Sequence, residues 1–135
     1  MKKIITLLTV LTFLLGASGC GFLSEEKIKL RDLDFTILSE EVIPEELKSL
    51  IEEKKQEPFM LTYSDQESLY ICKGYGKQPS GGFSITVSEL YLTDDAIYAK
   101  TSLLGPSKDE DTGNTETFPY IVIRTEKLDK TVIFE

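Results

Sequence analysis

Apolar and polar side chains alternate along much of the chain after residue 33, which is the period of strands with one buried face. Six segments rich in β-branched and aromatic residues show this alternation or a short apolar run, and turn-forming residues separate them. These segments predict strands at Phe59–Ser64, Ser68–Tyr75, Phe83–Leu92, Ala96–Leu104, Pro119–Glu126 and Thr131–Glu135. An earlier short alternation, "DFTILS", predicts one more strand with one buried face, in which Phe35 and Ile37 alternate with polar neighbours.

A helical pattern runs from about Pro44 to Lys55, where Leu47, Leu50 and Ile51 fall at helical spacing. Glutamates follow the proline and lysines close the segment, as the helix dipole favours. In the third predicted strand the apolar positions share one face, and Ser84, Thr86 and Ser88 share the other. A strand with one apolar and one polar face is typical of antiparallel sheets. The predicted fold is therefore α+β and mostly β. One helix packs on an antiparallel sheet or a small β-sandwich.

The first 19 residues predict a signal peptide. A basic start precedes the apolar run Ile4–Leu15, which is shorter than the roughly 20 residues of a membrane span. Small residues then lead to Cys20, and this order resembles the lipobox of bacterial lipoproteins, with Ala17 where leucine is usual. In such proteins the cysteine is diacylated and the preceding peptide is removed. The alternatives are an ordinary secretory signal cleaved near Ser18 or an uncleaved anchor.

The lipobox divides the chain into residues 1–19 as lipoprotein signal peptide, 20–32 as lipidated Cys20 and polar tether, and 33–135 as one globular domain. The predicted location is the extracytoplasmic face of the cell membrane, with the lipid on Cys20 as anchor. The full chain carries 15 basic and 23 acidic residues, a net charge of −8, and loss of Lys2 and Lys3 makes the net charge −10. No basic stripe stands out, so nucleic acid is not an expected partner.

The chain contains no histidine, which excludes Ser-His-Asp chemistry and histidine metal sites. Cys72 has no second cysteine to pair with once Cys20 is lipidated, and its strand-like setting predicts a buried thiol. The segment "GYGKQPSGGF" lacks the serine or threonine of a phosphate-binding loop after its lysine, and a strand follows in place of a helix. We therefore predict a protein that is not an enzyme and that needs no cofactor.

Gly81 and Gly82 in this segment are predicted to supply positive φ in a turn. Together with "FPYIVIRTEK" further along, the segment resembles the PrcB C-terminal domain family, whose members share a G-x-(K/R)-(Q/P)-(T/S)-G-G-(Y/F)-S-(I/V) stretch and a later P-Y-x-(V/I)-(V/I) strand. The resemblance covers roughly Leu69–Lys127, with Phe83 where tyrosine is common. The matching positions are Gly76, Lys77, Pro79, Ser80, Gly81, Gly82, Phe83, Ser84, Ile85, Pro119, Tyr120, Val122 and Ile123.

This resemblance implies a non-enzymatic interaction module of the bacterial envelope, since the family takes its name from an accessory subunit that stabilises a surface protease complex. The expected partner is an envelope protein, with a protease as the family precedent. The predicted interaction loop consists of Gln78, Pro79, Ser80, Gly81, Gly82 and Phe83, with Tyr75 beside it as a contact anchor. If this loop is an interface, we expect it to lie close to the long loop Gly105–Thr117, and we expect no deep pocket. A purely structural turn would need the same glycines.

Two other functions stay open. "KQPSGGF" resembles in outline the N-P-T-T-G-(Y/F) loop of chagasin-type inhibitors of cysteine peptidases, although Gln78, Ser80 and Gly81 depart from it. A small-ligand-binding lipoprotein is the second alternative, and it would require a concave apolar pocket. The acidic loop 105–117 holds oxygen ligands that calcium accepts but lacks the spacing of an EF-hand, so it is read as a solvated loop.

Overall fold

The computed structural model describes residues 28–135, so the predicted signal peptide, Cys20 and most of the predicted tether lie outside the described residues. A 3-10 turn spans Glu40–Val42 and the helix α1 spans Glu45–Lys54. The strands are β1 (Arg31–Asp32), β2 (Phe35–Ile37), β3 (Pro58–Ser64), β4 (Ser68–Tyr75), β5 (Ser84–Leu92), β6 (Ala96–Leu104), β7 (Tyr120–Glu126) and β8 (Thr131–Phe134). The predicted strands and helix are confirmed, with ends that differ by about one residue.

The strands form two four-stranded sheets. The first sheet has the order β1-β5-β6-β8 and the second has the order β2-β7-β4-β3. Neighbouring strands are antiparallel except for β6 and β8, which run parallel. The predicted α+β, mostly antiparallel fold is thus confirmed, and the parallel pair at one edge was not predicted.

One hydrophobic core fills the space between the two sheets. Because side chains alternate along a strand, β4 supplies Leu69 and Ile71 to this core and turns Tyr70 and Cys72 to the opposite face of its sheet. The buried members of the inter-sheet core are Leu33, Leu69, Ile71, Leu90, Leu92, Ile97, Ala99, Ile121 and Ile123.

A second core lies between α1 and the outer face of the second sheet, so the domain has three layers. Leu47 and Ile51 of the helix are fully buried there, while Leu50 of the predicted stripe is only half-buried. Phe59, Tyr70, Cys72 and Val122 contribute from the strands beneath the helix. The helix begins after Pro44, whose fixed φ and missing N–H suit a helix start.

β5 contains a bulge that reverses its alternation. Ile85 and Val87 pair with Leu103 and Thr101 and face the other sheet, as the alternation predicts. The register then shifts between Val87 and Glu89, so that Leu90 and not Glu89 points into the core. The apolar positions of β5 are odd-numbered up to Val87 and even-numbered from Leu90, and the bulge keeps both sets on the buried face.

Two expectations at the start of the domain are corrected. β2 is a strand, but Phe35 and Ile37 are 38% and 52% exposed, because this three-residue strand sits at a sheet edge with β7 on one side. Arg31 and Asp32, which we assigned to the tether, pair with Leu92 and Tyr91 of β5. The chain therefore enters the first sheet before residue 33.

Candidate interaction surface

The segment between β4 and β5 begins at Gly76, whose φ of +76° belongs to the left-handed region. A Cβ at this position would lie 2.8 Å from the Pro58 ring, so glycine is required by both conformation and space. This residue turns the chain out of β4 and starts the predicted interaction loop. The sequence reading assigned positive φ to Gly81 and Gly82 and overlooked Gly76, although Gly76 belongs to the motif.

The predicted interaction loop is fastened to the long loop that precedes β7. Gln78 and Thr117 exchange two backbone hydrogen bonds, with nitrogen-to-oxygen distances of 2.8 and 3.0 Å, in an isolated antiparallel bridge. The Thr117 hydroxyl donates to the Ser80 carbonyl at 2.7 Å, and the Gln78 side-chain amide donates to the Tyr75 carbonyl at 3.1 Å. The predicted closeness of the two loops is confirmed.

Gly82 lies at the tightest contact between the loops. Its φ is +84°, and a Cβ would lie 2.6 Å from Thr112 Cγ2 and 2.8 Å from both Glu110 Oε2 and Pro106 Cβ. Gly81 is different, because a Cβ there would meet only the Thr112 carbonyl oxygen at 3.5 Å and its φ is not positive. The prediction of positive φ is right for Gly82 and wrong for Gly81.

Residues 77–83 and 105–118 therefore form one continuous area, which we call the two-loop surface. Lys77 and Glu116 form an ion pair across it at 3.1 Å, with both side chains more than half exposed, so the pair contributes little energy. Pro79 and Gly82 are exposed, whereas Gln78, Ser80, Gly81 and Phe83 are half-buried against the neighbouring loop. The area is thus a braced surface whose backbone is held in place on both sides.

Tyr75 is less available than we expected. Its side chain is half-buried, its hydroxyl hydrogen-bonds to that of Thr101 at 2.6 Å, and Lys73 Nζ lies 5.3 Å from the centre of its ring. These contacts connect the end of β4 to β6 in the other sheet. Tyr75 therefore joins the start of the two-loop surface, through its carbonyl bond with Gln78, to the other sheet.

Cys72 is fully buried beneath α1, and this burial raises the pKa of its thiol to about 12. Desolvation disfavours the thiolate, so the residue is a packing group as predicted. Within residues 28–135 no three Cys, Asp or Glu side chains are gathered as a metal ion would require. No helix in this part of the chain has the length and apolar character to cross a membrane.

A depression of about 600 Å³ lies at the C-terminal end of α1. It is lined mainly by polar and charged side chains, among them Glu52, Glu53, Lys54 and Glu57, and also by Pro58 and Phe59. This lining differs from the mostly apolar walls of small-molecule sites.

Residues 69–126 match a family model described as PrcB C-terminal. The matched segment runs from β4 to the end of β7 and contains both loops of the two-loop surface. No curated protein and no solved structure matches the chain.

Proposed function

Because its segment 69–126 belongs to the PrcB C-terminal family, we propose that this chain is an envelope lipoprotein that acts as a non-enzymatic protein-interaction module. In this proposal it is an accessory or stabilising subunit of an envelope protease complex. Cys20 carries the lipid anchor on the extracytoplasmic face of the cell membrane, and the two-loop surface contacts the partner.

The observation that carries the proposal is the bracing of the two-loop surface. The bridge between Gln78 and Thr117 and the close contact at Gly82 hold the loops in one arrangement. A surface that is already ordered loses little conformational entropy on binding, which favours a stable complex. Loops carried on a rigid sheet are also the usual place for partner contacts.

The test of the two-loop surface is photo-crosslinking of the full lipoprotein in the envelope of the producing cell. A photoreactive residue replaces Gln78, and a matched control replaces Asp95, an exposed residue in the β5–β6 turn at the opposite end of β5. We expect one protein to be captured through position 78 and not through position 95. Mass spectrometry would identify it, and a captured peptidase would be assayed with and without this chain to separate stabilisation from inhibition.

Gly81→Lys separates an interface from a structural turn, because a Cβ at Gly81 makes only an ordinary contact with the Thr112 oxygen while a Cβ at Gly82 is blocked. The variant should keep the stability of the parent within about 1 kcal/mol, since a surface change away from tight contacts has a small effect. If the two-loop surface binds the partner, capture through position 78 should fall by about tenfold, which corresponds to roughly 1.4 kcal/mol. Unchanged capture in a folded Gly81→Lys variant would show that the loop is only a turn.

Anchoring is tested separately with Cys20→Ser. We expect this variant to lose incorporation of an alkyne analogue of palmitate, because serine offers no thiol to carry the acyl chains. Label that persists in Cys20→Ser, or is absent from the parent chain, would contradict the lipid anchor and leave the interaction proposal standing. Ser18→Ala, two residues away, serves as the matched control.

A further inference from the structure

β3 is the terminal strand of the second sheet, and within residues 28–135 it has a strand neighbour, β4, on one side alone. It is seven residues long, whereas the other terminal strands, β1, β2 and β8, have two, three and four residues. Its sequence PFMLTYS contains no charged residue, and its pairing with β4 contains no bulge. Proteins usually protect exposed edges with charges, bulges or very short strands, and β3 has none of these after Pro58.

The hydrogen-bond pattern shows which backbone groups of β3 face outward. Asp65 N donates to Ser68 O at 3.1 Å, so Asp65 and Ser68 form a hydrogen-bonded pair at the turn between β3 and β4. Tyr75 N donates to Pro119 O at 3.0 Å, so the far end of β4 directs its bonds toward β7. Since bonded and non-bonded pairs alternate in an antiparallel ladder, the N–H groups that point away from β4 are those of Met60, Thr62 and Ser64.

The side chains of the same three residues are exposed, with Met60 at 57%. They alternate with Phe59, Leu61 and Tyr63, which pack toward α1. β3 therefore offers a free row of backbone donors and acceptors beside uncharged side chains. An added strand needs these two features, since main-chain bonds provide affinity and alternate side chains provide specificity.

Both ends of β3 are framed by carboxylates. At the Pro58 end the depression described above is lined by Glu52, Glu53 and Glu57 together with Lys54. At the Ser64 end, Asp65 and Glu67 occupy the turn. On the helix side, Glu46 accepts a hydrogen bond from the Tyr63 hydroxyl at 2.8 Å. Lys55 pairs with Glu52 at 2.8 Å and Lys127 acts electrostatically on Asp65, so carboxylates outnumber cations at each end, while β3 itself carries no charge.

We propose that β3 is a docking edge for an extended segment of a partner protein, uncharged where it pairs with β3 and carrying Lys or Arg on both sides. A second copy of this chain fits the edge poorly. Two β3 strands paired about a two-fold axis would place Glu57 of one copy beside Asp65 and Glu67 of the other, at both ends of the pair. This edge lies outside the segment 69–126 and is a different surface from the two-loop surface.

The test uses a synthetic peptide of alternating valine and threonine with two lysines at each end, mixed with the full lipoprotein in detergent. Two companion peptides carry glutamates in place of the lysines or N-methyl groups on alternate residues. Fluorescence anisotropy would measure affinity, and amide NMR shifts would locate binding. We expect the lysine peptide to bind about tenfold or more tightly than either companion, with the largest shifts at Met60, Thr62 and Ser64.

Thr62→Pro removes an N–H that points away from β4 and leaves the bonds to β4 in place. The affinity for the lysine peptide should therefore fall by about tenfold or more. Thr62→Val keeps the N–H and should change this affinity by less than about twofold. If Thr62→Pro fails to fold, the N-methylated peptide tests the same bonds from the ligand side.

Equal binding of the three peptides, or shifts elsewhere on the domain, would overturn the docking edge. So would a dimer that grows with concentration in sedimentation and disappears in Thr62→Pro, since a second copy would then occupy β3. None of these results bears on capture through Gln78. The two-loop surface and the β3 edge can therefore fail independently.

Discussion

Replacing Gly74 by alanine is expected to lower the free energy of unfolding by about 3 kcal/mol, which for a domain of this size is a fall of about 10 °C or more in Tm. Gly74 pairs directly with Phe59 across β3 and β4, and the phenyl ring lies over the glycine. A Cβ would stand 2.1 Å from Phe59 Cε1 and 2.4 Å from Phe59 Cδ1. The ring is buried under α1 and cannot move aside without opening the helix–sheet core.

Urea unfolding followed by circular dichroism would measure this effect, with Gly81→Ala as the matched control, since its nearest neighbour would be at 3.5 Å. Phe59→Ala removes the obstructing ring and by itself should cost about 3–5 kcal/mol. The double variant should lose less stability than the sum of the two single losses, by more than about 1 kcal/mol, because Phe59→Ala removes the clash. Additive losses, or a stable Gly74→Ala protein, would show that Phe59 does not cover Gly74.

Raising the pH from about 9 to 12 is expected to remove up to about 4 kcal/mol of stability that depends on Cys72. Burial raises the pKa of this thiol from 9.0 to about 12 in the folded chain. The unfolded chain therefore gives up its thiol proton first as the pH rises. A group with a raised folded pKa contributes its full stability below the unfolded pKa and loses it as the pH passes through the folded value.

Lysines and tyrosines titrate in the same pH range, so the measurement is a difference between the parent chain and Cys72→Ala. Urea midpoints at several pH values should converge as the pH rises if the buried thiol causes the loss. At pH 8 the parent thiol should react with a disulfide reagent only as fast as the domain unfolds. Parallel curves, or rapid labelling of the native chain, would contradict the burial of Cys72.

The strands and the helix followed closely from local patterns. Ser68–Tyr75 and Ala96–Leu104 were predicted to the residue, because β-branched and aromatic runs end at recognisable turn residues. The errors concern neighbours that are distant in sequence. The exposure of Phe35, the parallel pairing of β8 and the bulge after Val87 each depend on which strand lies alongside, and a local period carries no information about that.

The two loops of the candidate surface were predicted from the sequence, but the contacts that hold them together were not. The glycine-rich segment and the long loop were recognised from their composition, and the structure places them together through Gln78 and Thr117. Which glycine takes positive φ was beyond sequence reasoning, because Gly81 and Gly82 are adjacent and identical in type while only Gly82 is crowded by Thr112. The β3 edge was missed because a strand pattern does not show whether the strand is central or terminal.

The first residues of the described fold also have a mechanical role. Leu33 and Asp34 alone separate β1 from β2, yet these strands belong to different sheets, where Leu30 N and Leu33 N bond to β5 and Leu38 N bonds to β7. A tensile load that enters the domain from residues before 28 therefore reaches β1 in one sheet first and then, within three residues, β2 in the other. If Cys20 holds the chain at a membrane as proposed, a partner that is pulled away loads a tether fastened to both sheets, so the tether must be freed from β5 and from β7 before it detaches from the domain.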